Sequence, residues 1–326
     1  MVSTTARFAA IGAVALLALT GCCSAAENPA VGAGAEGGFA PSGDARMIVP
    51  FSAGGGSDLS GRAIAAGLEE VGGINISTEN REGGSGAIGY SHFLAQEGKD
   101  NYLLASETAL LALPLTQDVE FEYTDFTPIM KLGDDFTLLV VAPDSPFETC
   151  ADVVDTAKKD RVVAAVSGAT SLDEIVFTLV EDATGVEFDR VPFESGSEVL
   201  ASLLGGQIDI ASLNPGEVLG QLESGDLKAL CAFSDERYEY EQLADIPTAK
   251  EQGVDVAFAQ FRGFIAPGGI SDEAKQFWID AAKEFEKSDA YAEYIESNVM
   301  QANAVYGDDF VSYLEGNNAD LTKVLN

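Results

Sequence analysis

The sequence predicts an α/β fold of two doubly wound lobes with a cleft between them, and three observations predict it. Short apolar runs without internal polar alternation recur between amphipathic stretches of helical length. The series starts twice, once near Ala45 and again near Arg161. A turn rich in Gly or in Ser and Thr follows the first run of each series. Strands buried on both faces and separated by helices form parallel sheets, and ligands sit beyond the carboxyl ends of such strands, where loops lead into helix N-termini.

Taken in order, Arg46–Pro50 reads as a buried strand, followed by a Gly-rich turn and a helix through Leu68. Ile74–Ser77 is a second strand, and Gly83–Gly86 opens the helix that carries His92 and Ala95. Tyr102–Ala105 and Thr137–Val141 are further strands. The second series runs through strand Arg161–Val166, helix Leu172–Thr184, strand Phe188–Pro192 and helix Ser197–Leu204. Ile208–Ala211 and Leu227–Ala232 continue it, and Asp272–Asn298 reads as helical. Lobe 1 is expected at residues 45–143 plus 259–326, and lobe 2 at 144–258.

The N-terminus carries an address. Arg7 precedes an apolar run from Phe8 to Leu19, too short to span a bilayer and typical of a secretory signal. Residues 1–21 are read as that signal peptide, and Leu19-Thr20-Gly21-Cys22 resembles a bacterial lipobox, which makes Cys22 the expected lipidation site. Residues 22–44, rich in Ala, Gly and Pro, bury too little apolar surface to offset their ordering entropy and are expected to be a flexible tether. No later segment is apolar for long enough to cross a bilayer.

With 46% hydrophobic residues the chain is globular, and its net charge of −35 argues against nucleic acid and anionic membrane surfaces as partners. Membrane association is expected through the lipid anchor only. Cys150 and Cys231 remain beyond the tether; after export they form either a disulfide or two buried thiols.

Pro50-Phe51-Ser52-Ala53-Gly54-Gly55-Gly56-Ser57-Asp58 joins a strand to a helix. Glycines let a ligand approach the backbone, and the helix that follows offers unpaired N–H groups at its positive end. An anion fits there without a basic side chain. The spacing matches neither a P-loop nor a dinucleotide fingerprint. In the second series, Ser167-Gly168-Ala169-Thr170-Ser171 takes the equivalent place, and Ser171-Leu172-Asp173-Glu174 reads as a capping box. Neither loop contains Lys or Arg, so backbone N–H groups are the expected anion donors. Asp58 and Arg62 stand four apart and either pair across the helix surface or leave Asp58 for a ligand ammonium or hydroxyl. The candidate ligand-binding set is Phe51, Ser52, Gly54, Gly55, Gly56, Ser57, Asp58, Ser106, Ser167, Gly168, Ala169, Thr170, Ser171 and Asn214.

From about Met47 to the C-terminal helices the chain resembles the substrate-binding receptors of tripartite tricarboxylate transporters, the Bug family. The resemblance rests on Pro50 to Arg62, on Glu79-Asn80-Arg81-Glu82-Gly83-Gly84-Ser85-Gly86-Ala87-Ile88-Gly89, and on Val191-Pro192-Phe193. Leu203 to Asp209, Asp245-Ile246-Pro247-Thr248 and Gly263-Phe264-Ile265-Ala266-Pro267 extend it. It implies a fold like that of type II periplasmic binding proteins, two lobes joined by two crossing strands that close on a ligand carboxylate. It also implies that the loops Phe51–Asp58 and Ser167–Ser171 hold that carboxylate, and that the chain is a monomer delivering it to the membrane subunits of such a transporter. Ala53, Thr170, Glu174 and Phe261 depart from the family's usual proline, glycine, histidine and tryptophan. The acid at Glu174 disfavours a multiply anionic ligand such as citrate, and favours a monocarboxylate or one carrying an ammonium or hydroxyl.

A catalytic reading is weak. His92 is the one histidine, on a helix flank away from both loops, which disfavours a Ser-His-acid triad and a histidine-based metal site. No catalytic residue, metal or cofactor is expected. A receptor that feeds a signalling system would share every site residue with one that feeds a transporter.

Overall fold

A computed structural model of the chain describes residues 39–168, 171–193 and 195–325. The lipobox, the signal segment and the first part of the tether lie outside the described residues. The last part of the expected tether is docked: Phe39 meets Phe277 edge-on with ring centroids 5.7 Å apart, and Ser42 donates through N–H and Oγ to Asp100 Oδ1 at 3.1 and 2.7 Å. The tether's composition conceals these two anchors.

The chain opens with β1 (Ala45–Val49), α1 (Gly56–Gly72), β2 (Ile76–Asn80), α2 (Ala87–Leu94), β3 (Tyr102–Glu107) and α3 (Ala109–Thr116). It then crosses through β4 (Phe126–Asp135) into β5 (Leu138–Val141). The middle of the chain is α4 (Cys150–Ala157), β6 (Val163–Val166), α5 (Leu172–Thr184), β7 (Asp189–Pro192), α6 (Gly196–Leu204), β8 (Ile210–Leu213), α7 (Pro215–Ser224) and β9 (Lys228–Ala232). The return runs through β10 (Gln260–Pro267), α8 (Asp272–Glu286), α9 (Asp289–Ser297), β11 (Gln301–Tyr306) and α10 (Gly307–Leu325).

Two sheets result, in the orders β11-β4-β10-β3-β1-β2 and β7-β6-β8-β5-β9. The apolar runs that start each series pair in parallel, β1 with β2 and β3, and β6 with β7 and β8. The sheets are nevertheless mixed, because β10 lies antiparallel to β3 and β4, and β5 lies antiparallel to β8 and β9. These are the strands at which the chain changes lobes. The switch falls between Asp135 and Leu138, so Leu138–Val141, expected in lobe 1, belongs to the second sheet.

Each sheet is covered on both faces, as buried strands require. In the first, Met47, Val49 and Leu103 face α1, α8 and α9 through Ile64, Trp278 and Tyr291, while Ile48 and Leu104 face α2, α3 and α10 through Phe93, Leu110 and Phe310. Glycine sets how closely α1 lies on the sheet, since a Cβ on Gly61 would sit 2.6 Å from Val49 Cγ2. In the second sheet, Ala164 and Ile210 face α4 and α5, while Ala165 and Ala211 face α6 and α7. A disulfide joins Cys150 at the start of α4 to Cys231 on β9, which resolves the two readings of those cysteines.

The lobes also touch away from the crossing strands. Ile175 of α5 packs with Phe261 and Phe310 of the first lobe. Val299, in the α9–β11 turn, is buried among second-lobe residues at φ 54°, and Tyr240 donates to the Met300 carbonyl at 2.9 Å. A β-branched residue in the left-handed region is strained, so packing against the second lobe holds this turn in place.

Candidate functional site

A cleft of about 810 Å³ opens where the carboxyl ends of the two sets of strands face one another. Its first-lobe wall is the loop Phe51–Gly56 with Ser57, the loop Glu82–Gly86, and Glu107, Asp135, Gln260 and Arg262 from the strand ends. The second-lobe wall includes Ser167, Gly168, Ser171 and Asp173, then Ser195–Glu198, and finally Ser212–Asn214 with Gly216 and Glu217. The walls come close at two points. A Cβ on Gly168 would lie 3.1 Å from Ser85 Oγ, and one on Gly216 would lie 2.9 Å from Asn298 Cα.

The first loop leads into α1 with Gly55 as N-cap at φ −85° and ψ 172°. The N–H groups of Gly56 and Ser57 head the helix, where no intrahelical acceptor exists. Together with the helix dipole they make an anion site at the cleft wall. Asp58 does not compete for it. It is buried away from the cleft and accepts from Gly54 N–H, Arg62 Nε and Asn80 Nδ2, each at 2.9 Å. Burial pushes the Asp58 carboxyl up, but those three partners outweigh it and hold the group below its ordinary value. Asp58 is thus a brace for the loop, and Arg62 its surface partner.

The second loop is built differently. Ser171 is the N-cap of α5, but its side chain makes no capping bond and Glu174 does not reach back. Instead the buried Asp173 carboxylate turns into the loop and accepts from Ser167 N–H at 2.7 Å and Glu174 N–H at 3.0 Å. Burial pushes the Asp173 carboxyl up, and those hydrogen bonds oppose it. Glu174 is absent from the cleft lining and pairs with Arg190, so it exerts no contact on a ligand. The capping box expected from the Ser-x-x-Glu spacing fails because Arg190, sixteen residues on, offers Glu174 a full charge.

Of the remaining candidate residues, Phe51, Ser52, Gly54, Gly55, Gly56, Ser57, Ser167, Gly168, Ser171 and Asn214 line the cleft. Ser106 does not: it is buried beneath the floor, 3.5 Å from the Tyr90 hydroxyl. Ala169 and Thr170 lie outside the described residues. His92 is likewise away from the cleft lining.

Sequence reasoning missed Arg262. It lies on β10 directly beneath the first loop, and a Cβ on Gly56 would sit 2.6 Å from its Nη2. The cleft therefore does contain a basic side chain, supplied from 205 residues beyond Ser57. Arg262 donates from Nε and Nη2 to Asp135 Oδ2, both at 3.1 Å, from Nη1 to Ser57 Oγ at 3.2 Å, and from Nη1 to Glu107. Burial works against the guanidinium's charge, but Glu107 and Asp135 keep it protonated. The Gly263-Phe264-Ile265-Ala266-Pro267 run was the nearest sequence signal; an arginine inside the buried strand to which that run belongs needs carboxylates across the sheet.

Comparison with known proteins fits this geometry. A family model described as "Tripartite tricarboxylate transporter family receptor" matches residues 61–323. Protein BugT of Bordetella pertussis is 29% identical over 215 residues, 64% of this chain and 65% of that protein. Among solved structures, a TctC solute binding protein from Polaromonas superposes with a TM-score of 0.71 at 27% identity, covering 88% of this chain and 99% of that one. R. palustris Rpa4515 with adipate superposes with a TM-score of 0.80 at 24% identity, covering 87% and 96%; this last likeness is one of fold.

Proposed function

The chain belongs to the tripartite tricarboxylate transporter receptor family, and from that premise we propose that it captures a small carboxylate in the interlobe cleft and delivers it to the membrane subunits of such a transporter. Family members are extracytoplasmic binding receptors, and this chain acts as a receptor without turnover. The observation that carries the reading is the N-terminus of α1 at the cleft wall, where Gly56 and Ser57 line the cleft and, among the described residues, no N-cap side chain takes their N–H groups. A protein of similar fold, R. palustris Rpa4515, is described with adipate, a small carboxylic acid. The protein works as a monomer, held outside the cell membrane by lipid on Cys22 and by the segment that precedes Phe39.

The carboxylate reading is tested by mass spectrometry of the small molecules released when the purified chain is denatured. A small carboxylic acid at near-equal stoichiometry is the expected result, and a ligand without a carboxyl group refutes it. Anchoring is tested separately: Cys22→Ser should shift the protein from the membrane to the soluble fraction, and unchanged fractionation would reject the anchor.

A further inference from the structure

The charges in the cleft are unevenly placed. Among the described residues six carboxyl side chains line it, Glu82, Glu107, Asp135, Asp173, Glu198 and Glu217, against one cation, Arg262. That cation is already engaged by two of them, since Arg262 is paired with both Glu107 and Asp135. A ligand carrying two carboxylates would enter a cleft whose fixed side-chain charge is negative.

The two walls differ in what they offer. On the first, the helix-end N–H groups of Gly56 and Ser57 stay available and Asp58 is folded away from them. On the second, Ser167 N–H is taken by the protein's own Asp173 carboxylate, as Gly54 N–H is by Asp58 on the first, but Asp173 also takes Glu174 N–H at the start of α5. The neighbouring helix start faces an acid as well. Glu217, in the first turn of α7, lays its carboxyl over the start of α6, where a Cβ on Gly196 would come within 2.9 Å of it. No salt bridge reaches Glu217 among the described residues, and the residue is exposed at the cleft wall. The starts of α5 and α6 therefore each carry or face an internal anion.

Resting on the carboxylate reading above, we propose that the ligand is a zwitterion, an amino acid or a similarly sized ammonium carboxylate. Its carboxylate sits on the α1 N-terminus and its ammonium faces Asp173 and Glu217 on the second lobe. The proposal adds a sign to each end of the cleft and makes Glu217 a specificity-determining residue. An ammonium has three donors and no acceptor, which suits a wall of carboxylates and of Ser and Asn oxygens.

A linked proton gives an independent readout. Protein crowded around the cleft wall desolvates the Glu217 carboxyl and pushes it up to about 7; Asp135 and Asp173 add to the shift, while Arg262 and the backbone at Asn214 oppose it, and Glu198 of α6 lines the same wall. Near neutrality the group is partly protonated. A ligand ammonium beside it favours the ionised form, so binding releases a proton and tightens as pH rises from about 6 to about 8. A second ligand carboxylate would do the reverse.

The test is calorimetric titration of the full chain with matched pairs, glutamate against glutarate, aspartate against succinate and 4-aminobutyrate against butyrate, in two buffers of different ionisation enthalpy. The amine-bearing member of the best pair should bind ~10–100-fold more tightly, the range a charge-assisted hydrogen bond supplies, with proton release. Glu217→Gln should remove most of that preference and the proton release, while affinity for the unaminated acid holds or rises. Tighter binding of the unaminated acids, with proton uptake, overturns the zwitterion and leaves the carboxylate receptor standing. Failure of every pair, with a ligand lacking a carboxyl group recovered from the protein, overturns both.

Discussion

Gly55→Val isolates the anion site at α1 from the stability of the lobe. Gly54 has φ 87°, where any side chain is strained, and a side chain at Gly56 would strike Arg262. Gly55 differs from both: its backbone is extended, and a Cβ there meets only the Ser52 carbonyl oxygen, at an ordinary 3.7 Å. Valine can therefore be accommodated, with a capping loss partly offset by reduced freedom of the unfolded chain, for a net change within ~1 kcal/mol. Its branches stand at the cleft wall, between a ligand and the Gly56 and Ser57 N–H groups. Each hydrogen bond to a charged group contributes ~1.5–3 kcal/mol, so loss of both costs ~3–6 kcal/mol, or roughly 10²–10⁴-fold in affinity. Calorimetry with the copurified acid reads the affinity, and thermal melting reads the fold. Near-native affinity in a folded Gly55→Val protein would refute the helix-end site.

The other predictions concern closure, the cleft floor and the second lobe. Gly216→Ala should prop the lobes apart, because its Cβ would meet Asn298 Cα at 2.9 Å; ligand-induced compaction in small-angle scattering should shrink, and unaltered compaction counts against that contact. Arg262→Met leaves the buried Glu107 and Asp135 without their cation and should cost ~3–5 kcal/mol in chemical denaturation. Burial already holds the Asp135 carboxyl above its ordinary value, so this deficit should be largest at neutral pH and shrink as acid protonates it; a pH-independent deficit would be contrary. The Cys150→Ser/Cys231→Ser variant opens a link across 81 residues, a loss of ~4–5 kcal/mol if loop-closure entropy dominates, and an unchanged denaturation midpoint would argue otherwise.

How far the fold was legible depended on whether a strand could be recognised without its neighbours. Met47-Ile48-Val49 and Leu103-Leu104-Ala105 are uninterrupted apolar runs, and they became β1 and β3. The strand β4 interrupts its apolar residues with Lys131, Gly133 and the acidic pair Asp134-Asp135, and it was not recognised. Lys131 is buried because Asp134 pairs with it at 2.8 Å and the Tyr313 ring lies 4.7 Å away, contacts that only the folded sheet assembles. The same holds for Arg262, whose carboxylate partners stand 155 and 127 residues away. Loop positions were readable because glycine clusters and helix starts are local. The charge facing the ligand was not, because it is set by pairs formed across sheets.

The two loops show how little separates opposite roles. Both are Gly- and Ser-containing turns that follow the first strand of a parallel series and place an aspartate in the first turn of the next helix, Asp58 in α1 and Asp173 in α5. Four residues after Asp58 stands Arg62, which bonds the carboxylate along the helix surface. Four residues after Asp173 stands Phe177, buried in the second-lobe core, so no cation draws that carboxylate outward. Asp173 instead accepts from Ser167 N–H, from Glu174 N–H at the start of α5 and from the Ser167 and Ser171 hydroxyls. A buried carboxylate must find donors somewhere; with a basic residue one turn along it takes that cation as well as a loop N–H, and without one it relies on the loop and its own helix start. The two halves of the cleft thereby receive opposite polarity from nearly the same local sequence.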